Sequence, residues 1–205
     1  MYIPKPFQME DESVMFDFIE QHNFGILITT QAQHPVGSHL PFWLDREQRR
    51  MYSHFARPNE QWRDIEDQEA LIIFPGPHTY ISPTWYETNQ SVPTWNYVSV
   101  HVYGKITIID DPSEVLGSLG KLVLQHEGPD SAYTLDSSNQ AFVEGLSAGI
   151  VAFQCEIAKL EGKWKLSQNH SRARQENVVR QLEQSKHEDA RSIAAQMKRN
   201  LEGGP

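Results

Sequence analysis

Between Val98 and Tyr103 apolar and polar residues alternate without a break, Val98, Val100 and Val102 against Ser99, His101 and Tyr103. A period of two is the signature of a half-buried β-strand with one face in a core. The run VPTWNYVSVHVYG at 92–104 therefore commits the chain to a sheet and sets Trp95 and Asn96 at the mouth of a strand. A flat indole beside an amide suits a planar, hydrogen-bonding ligand, and it suits equally a sheet edge packed by Trp.

The other strand signals are short and closely spaced. Residues 24–30 form an apolar, β-branched run, 36–44 alternate after a turn at His34-Pro35, and 51–55 follow the polar turn 46–50. Residues 69–74 read as a buried strand stopped by Pro75-Gly76-Pro77, and the Pro-interrupted stretch 80–86 reads as edge strand and loop. Long strands are expected at 95–109 and 150–158, with Gly162 turning the chain into 163–166. Helices are expected at 11–21, 59–66, 112–125 and 138–146, with Asp11 or Ser13 and then Asn59 as caps and Pro112 in a first turn. From Arg172 the spacing of Val178, Val179 and Leu182, then Ile193, Ala194, Met197 and Leu201, gives two amphipathic helical segments.

This is a meander and not a βαβ array. The expectation is an α+β, mainly β fold of six to seven mostly antiparallel strands, closed as a small barrel with peripheral helices, because closure removes exposed edges. An open α+β sheet is the alternative. The domain reading is a barrel over 1–170 and a C-terminal helical segment, 171–205, that packs on the barrel or on a partner subunit.

The composition is that of a soluble globular chain, 205 residues long with 22% charged. No stretch approaches the roughly 18 apolar residues of a membrane span, and MYIPKPFQMEDE lacks the basic and apolar regions of a secretory signal, so a cytoplasmic protein with no membrane partner is expected. The single cysteine, Cys155, lies in an apolar run and reads as a core residue. A net charge of -9 argues against indiscriminate nucleic-acid binding. Residues 171–205 hold seven Lys or Arg against five Asp or Glu, so the tail alone is mildly basic.

Three polar clusters stand out. Gly37-Ser38-His39-Leu40-Pro41-Phe42 sets His39 between a Gly and a Pro, where something approaches the backbone or a histidine packs beside a bulge. Ser53-His54-Phe55-Ala56-Arg57-Pro58-Asn59 ends a strand and opens a helix, which makes either an anion site suited to a phosphate monoester or a capping turn with a solvated Arg. Lys165-Leu166-Ser167-Gln168-Asn169 follows the last strand, as a ligand loop or a polar connection. Nine histidines show no metal-ligand spacing, no serine sits in a nucleophile elbow, and no Gly-rich phosphate loop is present.

MYIPKPF, SHLPFWLD (38–45), SHFARPNEQW (53–62), FPGPHTYISPTWY (74–86), VPTWNYVSVHVYG (92–104) and KLSQNHS (165–171), in register along nearly the whole chain, resemble the PaiB family of bacterial transcriptional regulators. The resemblance implies the FMN-binding split-barrel fold and a homodimer with FMN at the subunit interface. It implies that Ser38, His39, Leu40 and Pro41 line the ring and ribityl chain, that Ser53, His54, Arg57 and Asn59 form the phosphate end, that Trp95 and Asn96 make a wall, and that Lys165, Ser167 and Gln168 contribute near the C-terminus. No catalytic residue and no metal is implied. His170 stands where related sequences often carry Arg or Lys, so a cation there would depend on pH.

The function implied is negative regulation of transcription, repressing sporulation and the synthesis of degradative enzymes, proteases included. Contact with DNA would fall to Arg172, Arg174, Arg180, Lys186, Arg191, Lys198 and Arg199, or repression would act through a regulatory protein partner. The rival readings are an FMN-dependent oxidoreductase acting on a small molecule and a haem-binding split barrel with His39, His54 or His101 as axial ligand.

Overall fold

Val98, Val100 and Val102 are all buried, and Ser99, His101 and Tyr103 are half-buried, so the alternation read from the sequence is the real inside and outside of a strand. The computed structural model describes residues 1–66, 68–86, 90–128 and 130–203. Among the described residues eight strands form one sheet with antiparallel ladders: β1 (Gln8–Met9), β2 (Phe24–Gln31), β3 (His34–Pro41), β4 (Trp43–Asp45), β5 (Arg50–Ala56), β6 (Glu69–Ile81), β7 (Thr94–Ile108) and β8 (Ile150–Lys165). The order is β3-β2-β6-β7-β8-β5-β4, with β1 pairing β8 off that path. Among the described residues no ladder joins β3 to β4, so the sheet is not closed by hydrogen bonds.

The described residues also form α1 (Glu12–Gln21), α2 (Pro112–Glu127), α3 (Gln140–Ser147), α4 (Arg172–Glu183) and α5 (Glu188–Leu201). The start of α2 follows local chemistry. Asp111 caps α2 by accepting from the Glu114 amide at 2.9 Å, and Pro112 occupies the first turn, where its missing N–H costs nothing.

Five sequence expectations are corrected. The turn between β2 and β3 is at Ala32 and Gln33, both left-handed (φ 46° and 65°), and not at His34-Pro35. A two-residue hairpin of type I′ demands positive φ at both positions, and here two residues without a turn signal accept it at about 1 kcal/mol or more each. The expected strand 36–44 is broken at Phe42, whose ring turns into the core. β6 runs through Pro75-Gly76-Pro77 to Ile81, because its ladder to β2 ends at Ile73, and beyond that point a proline lacks no partner on that side. β8 likewise passes Gly162 without turning: a Cβ there would lie 2.8 Å from Met9, so the glycine admits β1 against β8. The helix expected at 59–66 is a single 3-10 turn, Glu60–Trp62.

The chain divides into two compact units. One comprises residues 16–74 and 101–160, with a core of Phe42, Phe55, Phe74 and Phe153. Phe42 meets Phe74 edge-on at 5.5 Å and Phe153 at 6.2 Å, and each such side chain contributes about 1.5–3 kcal/mol by leaving water. The other comprises residues 1–15, 75–100 and 161–205. In it α4 and α5 form a hairpin that buries Val178, Val179, Leu182, Ile193, Ala194 and Met197.

Candidate functional site

The side-chain period of β3 divides the first cluster. Ser38 and Leu40 share one face, and His39 and Pro41 the other; Leu40 is core and His39 is exposed beside Phe24, ring centroids 6.3 Å apart. β3 is a terminal strand of the sheet path, paired only with β2, so its outer backbone N–H and C=O groups have no strand partner among the described residues.

Ser38 belongs to a small polar network. Asn59 Nδ2 donates to Ser38 Oγ at 2.8 Å, Ser38 Oγ donates to Gln61 Oε1 at 2.5 Å, and Asn59 Oδ1 accepts the Gln61 amide at 3.1 Å, capping the 3-10 turn. Gln61, only 3% exposed, also donates through Nε2 to Thr29 Oγ1 at 3.0 Å and toward the Leu27 and Val36 carbonyls. The sequence reading missed Gln61. Its one signal was position: it sits two residues after the Asn59 cap, where a cap's oxygen finds its amide.

Ser53 is buried and its hydroxyl donates to the Pro41 carbonyl at 2.7 Å, which fixes the end of β3 on β5. His54 is half-buried, its Nδ1 is out of reach of water and has no hydrogen-bond partner, and burial pushes its pKa down. Arg57 Nε and Nη2 donate to the carbonyls of Ala148 and Ile150 at 2.6 and 2.7 Å. Those contacts take two of five guanidinium N–H groups, and Arg57 lies on the wall of a cleft of about 260 Å³ with Trp62, Pro112, Val115 and Ala148.

The second cluster gathers in the other unit. Trp95 and Asn96 do not make one wall, because neighbouring strand residues face opposite ways: Trp95 is 53% exposed beside His78 and Tyr80, and Asn96 is fully buried. Asn96 Nδ2 donates to Ser167 Oγ at 3.0 Å and lies 3.5 Å from the Met197 sulfur. Ser167 is left-handed (φ 65°) and buried, 3.3 Å from the Tyr86 hydroxyl. The Lys165 amine donates to Thr94 Oγ1 and, at 2.6 Å, to the Trp95 carbonyl; burial, then Lys163, lowers its pKa. Gln168 spends its amide on the local turn, accepting from Leu166 N and donating to Trp164 O, both at 2.7 Å. His170 stacks on Tyr86. Asn96, Lys165, Ser167 and His170 line a cleft of about 420 Å³, and Trp95 and Gln168 do not.

Cys155 is core, and burial pushes its thiol up to about 12, which leaves it inert. Among the described residues no three His, Cys, Asp or Glu side chains come together as a metal cage, and no helix is long and apolar enough to cross a membrane. The tail's basic groups are largely engaged. Arg172 pairs with Glu176, Lys198 with Glu183, Arg180 donates to Asn177 and Arg191 to the Ser185 carbonyl.

Residues 1–159 match the family described as "Putative FMN-binding domain". The chain is 34% identical, over 98% of both lengths, to "Protease synthase and sporulation protein PAI 2" of Bacillus subtilis, the PaiB protein. This chain belongs to the PaiB family. Similarity extends to fungal sequences: an uncharacterized protein of Saccharomyces cerevisiae is 30% identical over 62% of this chain and 90% of its own. Among solved structures, the flavocytochrome Anf3 of Azotobacter vinelandii superposes with TM-score 0.60 at 13% identity, over 77% of this chain and 69% of that one. The FAD and heme binding protein of Mycobacterium smegmatis gives 0.59 at 13%, over 77% and 73%. The PaiB chain thus has the split-barrel fold of flavin-binding proteins, as its sequence implies.

Proposed function

We propose that the protein is a PaiB-type negative regulator of transcription, acting on sporulation and degradative-enzyme genes, and that it binds FMN. The observation that carries this reading is the 34% identity to the Bacillus subtilis protein across 98% of both chains, since a match of that length preserves the whole architecture and not one motif. The family's FMN-binding description supports the cofactor. In this reading the protein works in the cytoplasm as a homodimer, and 171–205 packs on the barrel or on the partner subunit.

The residues of the first cluster fit a flavin. The ring presents carbonyl and N–H groups along one edge, which an unpaired strand edge such as β3 can match bond for bond. The orphaned Nδ1 of His54 asks for a hydrogen-bonding neighbour. The outer backbone edge of residues 38–41 would line the ring and ribityl chain, with Ser38 held by Asn59 and Leu40 anchored in the core; Ser53 fixes the strand end, and Arg57 offers its remaining N–H groups to the phosphate. Bound FMN supplies electron-transfer chemistry and so a redox signal. Trp95, Asn96, Lys165, Ser167 and Gln168 gather in the other unit and are argued separately below.

The cofactor is tested by the absorbance spectrum of purified protein after incubation with FMN and desalting. Retained flavin absorption is expected, and a colourless protein overturns FMN binding. Regulation is tested by expressing this chain in a Bacillus subtilis strain lacking its PAI 2 protein. Reduced secreted protease relative to the empty strain is expected, and unchanged protease overturns the regulatory reading.

A further inference from the structure

We propose that the cleft between β7 and the turn after β8 binds a small monocarboxylate with an apolar body, and that its occupancy is passed to the α4–α5 hairpin. The inference goes beyond the flavin reading and uses residues of one compact unit alone.

The cleft, about 420 Å³, has the size of a small-molecule site. Its lining combines the apolar Phe7 and Val92 with the polar Asn96, Lys165, Ser167 and His170. Among the described lining residues none is acidic, in a chain of net charge -9. The local field is positive: Lys163 opposes the charge of Lys165, and Arg174 and Lys165 oppose that of His170. A bound anion relieves that repulsion.

The donor set selects the anion. Lys165 uses two of its three N–H groups on Thr94 and Trp95 and keeps one. The lining holds no guanidinium fork, and His170 is held toward its neutral form. One cation with neutral hydroxyl, amide and imidazole groups matches a singly charged carboxylate, whereas a phosphate dianion calls for more positive charge.

The floor of the cleft touches the helices. Asn96 Nδ2 lies 3.5 Å from Met197 Sδ on α5, and the His170 carbonyl accepts from Gln175 Nε2 on α4 at 2.9 Å. Ser167 holds a left-handed backbone to place its hydroxyl on Asn96, a strained arrangement of the kind that persists when neighbours fix it. A ligand that hydrogen-bonds Asn96 or Ser167 therefore competes for the contacts that seat Met197.

The test is methyl NMR on protein carrying 13C-labelled methionine, titrated with benzoate, with benzamide as the uncharged isostere and inorganic phosphate as the dianion. Saturable benzoate binding at millimolar concentration or tighter, moving the Met197 resonance and leaving Met51, a residue of the other unit, in place, is expected. Benzamide and phosphate should move neither. Lys165→Gln should remove the response, and where that variant does not fold, the contrast of benzoate with benzamide on the native chain decides. No benzoate response, an equal response to benzamide, or a stronger one to phosphate would overturn the inference. Release of bound FMN by benzoate would overturn it as well, by making the cleft part of the flavin site. A protein that ignores FMN and answers benzoate keeps this inference and loses the flavin reading.

Discussion

The rings of Tyr86 and His170 stack with centroids 4.3 Å apart and planes 26° from parallel. That contact joins the turn after β6 to the turn after β8, and the 3-10 turn Pro83–Tyr86 packs in turn against α4. Burial lowers the pKa of His170, and the charges of Arg174 and Lys165 lower it further. At neutral pH position 170 is therefore an uncharged ring held by stacking.

Stability should fall as pH drops below neutrality. His54 and His170 both have folded pKa values below the unfolded value of 6.5, so the unfolded chain takes up protons first. The stabilisation is complete above that value and is lost as pH falls from 6.5 toward the folded pKa values. Thermal melts between neutral and mildly acid pH should show a declining midpoint, and His54→Gln combined with His170→Phe should flatten the decline. Carboxylates such as Asp136, held down to about 2, act at lower pH and leave this window clear. An unaltered slope in the double variant would show that other groups carry it.

Two glycines should respond with opposite sign. A Cβ on Gly104 would lie 2.1 Å from the Glu156 carbonyl oxygen and 2.8 Å from Cys155 Sγ, so β7 and β8 approach as closely as they do only because that atom is absent. Gly104→Ala should cost about 3 kcal/mol or more, as an overpacking that collides with backbone. Gly117, inside α2, has open space around it, and Gly117→Ala should stabilise by about 0.5–1 kcal/mol through helix propensity. Urea unfolding of both variants measures the two values side by side, and a Gly104→Ala midpoint at or above that of the native chain would refute the close approach.

What could be read from the sequence was what local chemistry decides. The alternation at 98–103, Pro112 in the first turn of α2 and the apolar stripes of α4 and α5 each depend on neighbours a few residues away, and each was legible. Pro75 and Gly162 misled because their usual meaning is local and their role here is tertiary: one lies past the end of a ladder, the other makes room for β1. The candidate site was legible as residue types and not as directions. Ser38 to Pro41 and Trp95-Asn96 were chosen as runs, and the strand period then sent alternate members to opposite faces.

The residue that this reasoning passed over gives the sharpest test of the first cluster. Gln61 is 3% exposed and its side chain meets Ser38, Thr29 and the carbonyls of Leu27 and Val36. Gln61→Leu keeps the volume and removes every one of those bonds, leaving buried acceptors unpaired at about 1–3 kcal/mol each, with a total loss of about 2–4 kcal/mol because some carbonyls keep their ladder partners. The Asn59 cap, which needs only the Gln61 backbone amide, is retained. β3 should lose its tie to the 59–62 turn while the sheet stays paired. Flavin retention after desalting should fall at least tenfold in Gln61→Leu, whereas Gln68→Leu, which removes an amide bonded to the Thr30 backbone and leaves the Ser38 network intact, should lose some stability and keep its flavin. Equal flavin retention in both variants would mean that the Ser38–Asn59–Gln61 network braces the fold and does not position the cofactor.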